Sequence, residues 1–323
     1  MMQLKYTLKK TTELSEQEKD EIRFLFREVF NKKKSIESFN RQFCSTPTSW
    51  SLHGLLTDNG KIVGCYTAVP VKYRFFGEEH LFALSVDTMI KRQYRGDPFK
   101  IMKMAQLVYE GLAKEGISFI YGFPKNDKVM TLLEKLLKWK KIGALEFYVL
   151  PINIDVVKPS LGCLKWPVKA FTEVLTLLCN LFISKKFRHH DFNIEKVNDD
   201  SFIHYRYDNE YVLIKTESSG YFCFRIWNED GIKTAYIIDV FPLNRKNLET
   251  AVYYIYKNYK NSADLIMYVG KLDFAPRNLF KVPAKYNPKK VNMGGRILSV
   301  KGVDDRIFDS TNWHVNLSDF DVR

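Results

Sequence analysis

The part of the sequence best suited to chemistry is an extended segment that leads into a tight turn and then a helix. The segment reads Ser85-Val86-Asp87-Thr88-Met89-Ile90, and the turn reads Gln93-Tyr94-Arg95-Gly96-Asp97-Pro98. A strand that passes through a glycine-containing turn into a helix gathers free backbone N–H groups and the positive end of the helix dipole. This arrangement predicts a binding site for an anion such as a phosphate.

Two residues of the turn limit this anion site. Pro98 has no N–H group and cannot donate to a phosphate, although proline is tolerated at the first position of a helix. Asp97 is a carboxylate at the N-cap, where it competes with a phosphate for the same donors. The N–H groups that we expect to stay available belong to Arg95, Gly96, Phe99 and Lys100. The anion site is therefore predicted to be weakened but retained.

The sequence before and after this segment predicts the elements that hold it. Ser15 and Glu18 form a capping box, and apolar residues at helical spacing follow, which predicts an N-terminal helix. Extended runs at 52–56, 62–73 and 81–90, separated by turn residues, predict an antiparallel meander. A helical pattern at 101–112 and an apolar strand at 117–121 then predict a parallel crossover.

The same order of elements recurs after residue 198. Strands are predicted at 211–215, 221–227 and 234–241, followed by a helix at 248–259 and a strand at 264–269. No glycine follows Asp239 in the corresponding turn, so the second half is predicted to bind no diphosphate.

Between the halves, the 16 residues 168–183 predict an apolar helix that ends in the basic run Lys185-Lys186-Phe187-Arg188. It is too short and too polar to span a bilayer of about 30 Å. We expect a connector packed on the core; an interfacial helix that brings the protein to a lipid-linked substrate is the alternative.

The composition is that of a globular protein. Hydrophobic residues make up 46% of the 323 positions, and the net charge of +13 attracts anionic partners. The basic residues fall in short runs such as Lys32-Lys33-Lys34, which we interpret as solvated faces, so a nucleic-acid partner is not expected. Five scattered cysteines form no pattern typical of disulfides or zinc, and no apolar stretch follows the basic N-terminus. We expect a cytoplasmic protein.

In the order of these features the sequence resembles the GNAT superfamily of acyl-CoA-dependent acyltransferases. The pyrophosphate loop of that family has Gln or Arg, two residues, Gly, one residue, then Gly or Ala. Gln93 and Gly96 match this loop, and Pro98 departs from it.

Further segments are similar to a branch of that family associated with bacterial surface-polysaccharide gene clusters. They are Gly122-Phe123-Pro124-Lys125-Asn126 at the end of a strand, Trp139 at the close of the next helix, strand 236–239, and the tail from Asn312-Trp313-His314 to 319–321. In that branch the residue before the tryptophan is Gly, and this chain has Lys138.

The resemblance implies an α/β fold of two tandem GNAT-like domains, each a mixed twisted sheet flanked by helices. It implies an N-terminal acyl-CoA domain at 1–155, a helical connector at 156–198, and a GNAT-like domain without the pyrophosphate loop at 199–323. Acetyl-CoA or another acyl-CoA is the implied co-substrate, with no metal. The implied coenzyme-binding residues are Met89, Ile90, Gln93, Tyr94, Arg95, Gly96, Asp97, Phe99, Lys100 and Asn126.

The chemistry of the family implies roles for three more side chains. Acyl transfer needs a base for the proton of the nucleophile, donors for the oxyanion, and an acid for the departing thiolate. Asp87 is the candidate base, and a structural carboxylate bonded to nearby backbone is the alternative. Strand alternation places Ser85, and not Thr88, on the same face as Asp87. The usual acid is a Tyr about five residues before the closing aromatic residue, a position that Glu134 holds in this chain.

The implied reaction is direct transfer of an acyl group from coenzyme A to an amine or hydroxyl of a sugar or surface-glycan precursor. Two alternatives stay open: a non-catalytic protein that binds acyl-CoA or glycan, and an aminoacyl-tRNA-dependent transferase. Three weaker candidates are a metal site at His189-His190-Asp191, a nucleophilic Cys65 and a stacking surface at Tyr253-Tyr254-Ile255-Tyr256. For these we expect a solvated surface, a buried structural thiol and core packing, respectively.

Overall fold

The structure is a computed structural model that describes residues 3–181, 192–216, 220–287, 290–299 and 301–320. The strands, in chain order, are β1 (Leu4–Lys10), β2 (Leu52–Asp58), β3 (Lys61–Phe75), β4 (Glu78–Ile90), β5 (Phe119–Gly122), β6 (Lys140–Ala144), β7 (Glu146–Pro151), β8 (Ile194–Lys196), β9 (Val212–Lys215), β10 (Tyr221–Glu229), β11 (Ile232–Phe241), β12 (Leu265–Gly270), β13 (Phe280–Lys281) and β14 (Asn292–Ile297). The α-helices are α1 (Glu16–Phe30), α2 (Ile36–Phe43), α3 (Phe99–Lys114), α4 (Asp127–Leu137), α5 (Ile154–Val157), α6 (Lys165–Leu181), α7 (Asp200–Arg206) and α8 (Arg245–Tyr259).

The chain divides into two compact units that are each assembled from separate segments. Unit 1 consists of Met1–Ala144, Asn193–Arg206 and Lys289–Trp313, and unit 2 consists of Leu145–Phe192, Tyr207–Pro288 and His314–Arg323. This division differs from contiguous blocks at 1–155, 156–198 and 199–323. The difference arises because late segments of the chain, β8 and β14, pair with the strands of unit 1.

Unit 1 is a mixed sheet with helices on it. Its strand order is β1-β2-β3-β4-β5-β14-β6, and β8 pairs with β3. The predicted meander is confirmed as β2, β3 and β4, and α3 makes the predicted crossover to β5, which is parallel to β4. The capping box predicted at the start of the first helix is also present, with Ser15 accepting from the Glu18 N–H.

A close contact between α3 and the sheet brings this helix down onto β2. Met104, Val108 and Leu112 are fully buried in the core beneath α3. A Cβ atom at Gly54 of β2 would lie 2.4 Å from the Met104 carbonyl oxygen. Only glycine permits this approach, so Gly54 allows α3 to lie close against β2.

Unit 2 repeats the mixed α/β arrangement with a different set of strands. Its strand order is β13-β7-β12-β11-β10-β9. β11 pairs with β12 in parallel, and the helix α8 connects these two strands. The predicted elements of the second half are confirmed as β9 to β12 and α8. Tyr256 is buried and Tyr254 packs on Phe222, so the expected core packing of this tyrosine-rich segment is confirmed.

The predicted apolar connector is α6, which packs on α8 within unit 2. Among the described residues, no helix combines the length and the apolar character needed to cross a bilayer. The basic run 185–188 and the pair His189-His190 lie outside the described residues.

Candidate functional site

The centre of unit 1 is an opening between two neighbouring parallel strands. β4 and β5 pair from Phe82 with Phe119 to Leu84 with Tyr121, and their pairing ends there. β4 continues to Ile90, paired with β3 on its other side. Residues 85–90 therefore present a strand edge to an opening in the sheet, and this is the segment that the sequence singled out.

A β-bulge interrupts β4 inside this segment. The register between β3 and β4 shifts between the Cys65–Met89 pair and the Thr67–Val86 pair. Asp87 has a φ of 47°, in the left-handed region that non-glycine residues rarely adopt. Bulges of this kind re-aim a side chain and are common beside active sites. The regular alternation of side chains therefore ends at Asp87.

The re-aimed Asp87 carboxylate forms an ion pair with Lys34. The Lys34 ammonium also donates to Gln42 Oε1 at 2.6 Å and lies 4.0 Å from the Phe26 ring centroid. The side chain of Lys34 is 3% exposed and that of Asp87 is 10% exposed. A pair this deeply buried is retained only where the two charges and their hydrogen bonds are well matched. The carboxylate is thus fixed in position at the bulge.

Sequence reasoning missed Lys34. The run of three lysines at 32–34 was interpreted as a solvated face, but its last member is buried. The available signal was weak: Lys34 directly precedes the Ser35 N-cap of α2, where the chain must turn inward. Its partner lies 53 residues further along the sequence, so no local pattern could join them.

Ser85 belongs to a different cluster, a chain of hydroxyl groups beneath α3. Its hydroxyl donates to Tyr66 Oη at 2.9 Å, and the hydroxyls of Tyr66 and Tyr109 lie 3.1 Å apart. Trp139 Nε1 donates to Tyr109 Oη at 2.8 Å. Burial raises the pKa of Tyr66 and of Tyr109, so both keep their protons. The prediction that Ser85 shares a face with Asp87 is wrong, because the bulge breaks strand alternation.

Trp139, one of the residues on which the family resemblance rests, lies where β4 and β5 begin to separate. A Cβ atom on Gly122, the last residue of β5, would lie 3.1 Å from the Trp139 ring and 3.4 Å from the Ser85 carbonyl oxygen. Trp139 is therefore packed against the point where the two strands separate. Lys138, which precedes it, has a φ of 55°, a left-handed conformation that suits the glycine of the similar branch.

The other two residues predicted around α4 have different surroundings. Glu134 is exposed, whereas the core-facing side chains of this helix are Met130 and Leu137. The hydroxyl chain of Ser85 leads to Tyr66, and not to Glu134. Asn126 is the N-cap of α4, and its Oδ1 accepts from the Val129 N–H at 2.9 Å. The candidate acid is therefore better sought in the hydroxyl chain than at Glu134.

The turn before α3 uses most of the N–H groups that were expected to be available. Asp97 Oδ1 accepts from the Phe99 N–H at 2.9 Å, and the Asp97 carbonyl accepts from the Lys100 N–H at 3.3 Å. The Arg95 N–H donates to the Arg92 carbonyl at 3.2 Å. Of the four predicted donors, the Gly96 N–H is the one that makes no hydrogen bond to the described parts of the chain. The expectation of four open donors is wrong, because the turn and the Asp97 carboxylate satisfy three.

The remaining residues predicted to bind coenzyme divide into buried and exposed groups. Met89 and Ile90 are buried on the strand, and Tyr94 is buried with its hydroxyl donating to Asp58 Oδ2 at 2.7 Å. Gln93 and Phe99 are exposed. The exposed Arg95 folds back, with Nε donating to the Ile90 carbonyl at 2.9 Å. Lys100 Nζ lies 3.7 Å from Asp97 Oδ2, which partly balances the charge of that carboxylate.

A basic groove of about 520 Å³ borders α1 and the loop before α2. Its lining residues are Asp20, Arg23, Phe24, Arg27, Lys33, Lys34 and Ser35. Four of these are basic and one is acidic, so the groove is electropositive. Phe24 is 52% exposed, and the Arg27 guanidinium lies 4.5 Å from its ring centroid. Because Lys34 lines the groove and also pairs with Asp87, the groove adjoins the bulge.

Two titratable groups beside the ion pair are chemically inert. His53 is fully buried, with its ring nitrogens 2.9 Å from Thr11 Oγ1 and 3.1 Å from Thr67 Oγ1. Burial, and then the charge of Lys34, lower the pKa of His53 to about 3. Burial raises the pKa of Cys65 to about 12, so its thiol stays protonated. The interpretation of Cys65 as a buried structural thiol is confirmed.

Unit 2 contains a second opening of the same kind, and the chain itself fills it. β11 and β12 pair up to Ile237 and Tyr268 and then separate, next to a bulge in the β10–β11 pair. Gly270 bridges to Asn316, and the Lys271 N–H donates to the Val315 carbonyl at 3.0 Å.

Buried hydrogen bonds hold this C-terminal segment in unit 2. Asn316 Nδ2 donates to Asp239 Oδ1 at 2.7 Å. The hydroxyls of Tyr207 and Tyr221 donate to Asp239 Oδ2 at 2.8 and 2.9 Å. No space is left there for a pantetheine arm, because a Cβ atom at Gly270 would already lie 2.6 Å from the Val315 carbonyl oxygen. In the described residues, no cluster of three or more His, Cys, Asp or Glu side chains could hold a metal ion.

Comparison with known proteins supplies structural neighbours only. No protein-family model matches the sequence, and no curated protein matches it. A probable N-acyltransferase from Enterococcus faecalis V583 superposes with a TM-score of 0.57 at 14% identity, covering 92% of this chain and 73% of its own. A GCN5-related N-acetyltransferase from Anabaena variabilis gives a TM-score of 0.58 at 13% identity, covering 92% and 74%.

A third neighbour was solved with an acyl-CoA. The N-myristoyltransferase of Saccharomyces cerevisiae, with bound myristoyl-CoA, superposes with a TM-score of 0.52 at 11% identity, covering 90% of this chain and 82% of its own. At these identities the likeness concerns architecture. Two mixed sheets flanked by helices, each with separated parallel strands beside a bulge, give the chain the fold of the GCN5-related N-acetyltransferases.

Proposed function

We propose that the chain is an acyl-CoA-dependent acyltransferase whose reaction takes place in unit 1. The observation that carries this proposal is the opening between β4 and β5, which lies beside a bulge and leads into the turn before α3. The acyl-CoA-bound neighbour supports coenzyme A as the partner of this fold. The second opening is filled by residues 314–316 of the same chain, so unit 2 is assigned no coenzyme.

The residues of the turn fit a diphosphate in part. The free Gly96 N–H and the positive charges of Arg95 and Lys100 suit a phosphate, and the strand edge at Met89 and Ile90 suits a pantetheine amide. The Asp97 carboxylate opposes this, because it occupies the Phe99 N–H. We infer that Asp97 must rotate away for coenzyme A to bind, which frees a donor and removes a repulsive charge.

Asp87 is proposed as the base, with Lys34 as its positioning residue. The acceptor's amine or hydroxyl attacks the thioester carbonyl carbon and passes its proton to Asp87, directly or through one water, while the carbon–sulfur bond breaks. Lys34 holds the carboxylate at the bulge and is itself held by Gln42. Coenzyme A supplies the activated acyl group and leaves as a thiolate.

Ser85 is proposed to stabilise the departing thiolate. Its hydroxyl is the end of the chain that continues through Tyr66 and Tyr109 to Trp139. The Ser85 hydroxyl has one hydrogen, which it donates to Tyr66 in this structure. We propose that this hydrogen turns to the sulfur as the thiolate departs, while Tyr66 donates to Ser85 Oγ in its place. A coenzyme thiolate resembles a free cysteine thiolate in basicity, with a pKa near 8.5, so a strong acid is not required. Ser85 replaces Glu134 in this role.

The acceptor is proposed to carry a negative charge beside its amine or hydroxyl. The groove next to the ion pair is lined by Arg23, Arg27 and Lys33, with the exposed Phe24 ring able to stack on a sugar or base. Arg23 already pairs with Asp20 at 2.6 Å, so Arg27 and Lys33 are the cations left for a ligand. A sugar linked to phosphate, as in a nucleotide-linked glycan precursor, meets these demands. We further propose a cytoplasmic role in bacterial surface-polysaccharide synthesis, which is what the resemblance of the sequence to that branch implies.

The test has two steps. Calorimetry of the purified chain with coenzyme A should give saturable binding, and thiol release from acetyl-CoA should then rise with a nucleotide-linked amino sugar as acceptor. Absence of coenzyme binding would overturn the proposal. Binding without turnover on amine and hydroxyl acceptors would support a non-catalytic acyl-CoA-binding protein.

A further inference from the structure

The hydroxyl chain of unit 1, formed by Ser85, Tyr66 and Tyr109, carries more hydrogens than its internal hydrogen bonds can use. Ser85 Oγ lies 2.9 Å from Tyr66 Oη, and Tyr66 Oη lies 3.1 Å from Tyr109 Oη. Trp139 Nε1 lies 2.8 Å from Tyr109 Oη at the other end. These four groups supply four hydrogens for three hydrogen bonds. One hydrogen therefore has to point out of the chain.

The orientation in this structure leaves that hydrogen inside the protein. Ser85 donates to Tyr66, and Trp139 donates to Tyr109. The contact between the two tyrosines uses one of their two hydrogens, and in the part of the chain that the structure describes neither hydroxyl has a further partner. Tyr66 is 1% exposed and Tyr109 is 5% exposed. A buried donor without an acceptor costs free energy, so this orientation is unfavourable at one tyrosine.

The reversed orientation moves the unused hydrogen to Ser85, the partly exposed end of the chain. In it, Trp139 donates to Tyr109, Tyr109 donates to Tyr66, and Tyr66 donates to Ser85. Each hydroxyl oxygen then accepts once, whereas in the first orientation one tyrosine oxygen has to accept twice. An indole N–H donates and never accepts, so Trp139 cannot reverse with the others. Because a hydroxyl that already accepts becomes a better donor, Trp139 favours donation towards Ser85.

A positive charge on β14 acts on the same chain. The Arg296 guanidinium lies 5.1 Å from the ring centroid of Tyr109, and Nη1 donates to the Leu137 carbonyl at 3.1 Å. Among the described residues, no carboxylate forms an ion pair with Arg296. Burial raises the pKa of Tyr66 and of Tyr109, and the charge of Arg296 acts in the opposite sense. Arg296 therefore strengthens both hydroxyls as donors, and its bond to Leu137 holds the end of α4 two residues before Trp139.

We propose that Trp139 and Arg296 are positioning residues that turn the hydroxyl chain so that Ser85 donates into the opening between β4 and β5. The acceptor of that hydrogen is the sulfur of coenzyme A, above all as a thiolate, because a charged acceptor forms the stronger hydrogen bond. This inference rests on the proposed role of Ser85 in acyl transfer. It adds that the direction of donation is set by two residues that act through the chain.

The test measures coenzyme binding to the full-length protein and needs no acceptor. Coenzyme A and desulfo-coenzyme A, which lacks the thiol, are titrated by calorimetry at pH 6.5 and pH 9. Donation to the thiolate lowers the pKa of the bound thiol. The affinity for coenzyme A relative to desulfo-coenzyme A should therefore rise about 5- to 10-fold across this range.

Variants of the two positioning residues should remove this rise. Trp139→Phe and Arg296→Met should each lose most of it, whereas Arg296→Lys, which keeps the charge, should retain most of it. Tyr256→Phe is the matched control, because Tyr256 is a buried tyrosine of unit 2 (4% exposed) whose hydroxyl has no partner among the described residues. It should behave like the wild type.

A double variant separates action through the chain from a direct effect of the charge on coenzyme A. Ser85→Ala should abolish the rise, and Arg296→Met added to Ser85→Ala should change nothing further. The inference is overturned if the wild type binds both ligands without the rise, or if Trp139→Phe or Arg296→Met keeps it in full. It is also overturned if Arg296→Lys behaves like Arg296→Met, if Tyr256→Phe loses the rise, or if Arg296→Met still lowers the ratio in Ser85→Ala. Failure of the wild type to bind coenzyme A at all would overturn the acyltransferase proposal and this inference with it.

Discussion

Removing the Asp97 carboxylate should strengthen the binding of coenzyme A. Asp97 Oδ1 accepts from the Phe99 N–H, so the carboxylate occupies a donor that a diphosphate would use. Asp97→Asn keeps an oxygen that can cap the helix but removes the negative charge, whereas Asp97→Ala removes both. The pair of variants therefore separates charge repulsion from occupation of the N–H group.

The magnitude follows from the surroundings of Asp97. Its side chain is 46% exposed, so solvent screens it and the repulsion between two unit charges at about 4 Å is nearer ~1 than ~4 kcal/mol. A freed backbone donor adds about 1 kcal/mol of hydrogen-bond energy. We therefore expect coenzyme A to bind about 5-fold tighter to Asp97→Asn and about 10- to 30-fold tighter to Asp97→Ala. Asp97→Ala should also lower the free energy of unfolding by about 1 kcal/mol, because a cap is lost.

Calorimetry with two ligands measures this effect. Coenzyme A carries the diphosphate, and pantetheine lacks it, so pantetheine should bind wild type and both variants alike. The reasoning is refuted if neither variant gains affinity for coenzyme A. It is equally refuted if pantetheine gains as much as coenzyme A, because the effect would then not concern the diphosphate.

Four more predictions concern Asp87, Lys34, His53 and the cysteines. Asp87→Asn should lower acyl transfer by at least about 100-fold while leaving coenzyme A affinity unchanged, and full activity in a thiol-release assay would remove this carboxylate from the mechanism. Lys34→Met should lower the free energy of unfolding in urea by about 3 kcal/mol, because the buried Asp87 carboxylate loses the ammonium group that it pairs with. His53 has a pKa of about 3 in the folded chain and is neutral there, whereas in the unfolded chain its imidazole takes up a proton below about pH 6.5. The free energy of unfolding should therefore fall by about 2 kcal/mol between pH 6.5 and pH 5. In urea titrations at these two pH values, His53→Gln should not show this contribution. Iodoacetamide at pH 8 should modify the exposed Cys163 and spare Cys65, whose pKa is about 12, without loss of activity, and inactivation through Cys65 would contradict its burial.

Local patterns in the sequence predict the elements of this fold well. The spacing of apolar residues and the turn signals give α1, the meander β2 to β4, α3, β5 and the repeat of this order in β9 to β12 and α8. These features depend on neighbours a few residues apart, which a sequence displays directly. The division into units depends instead on β8 and β14, which leave the second half of the chain to pair with β3 and β5. No local pattern in the sequences of β8 and β14 predicts that they pair with β3 and β5.

The site shows the same limit at the level of side chains. Strand alternation placed Ser85 and Asp87 together, but the left-handed φ of Asp87 sends its carboxylate to Lys34. A bulge is set by the register between two strands, and no residue type in β4 requires it. The competition from Asp97 was visible in the sequence, because an acidic residue before a helix start is a common N-cap. The structure was required to show that the Phe99 N–H donates to Asp97 Oδ1.

The most direct test of the account is a crystal structure of the chain with coenzyme A. We expect the pantetheine arm in the opening between β4 and β5, the diphosphate within hydrogen-bonding distance of the Gly96 and Phe99 N–H groups, and the Asp97 carboxylate rotated away from Phe99. A structure at saturating coenzyme A in which Asp97 still accepts from Phe99 and the opening in unit 1 holds no ligand would contradict the account.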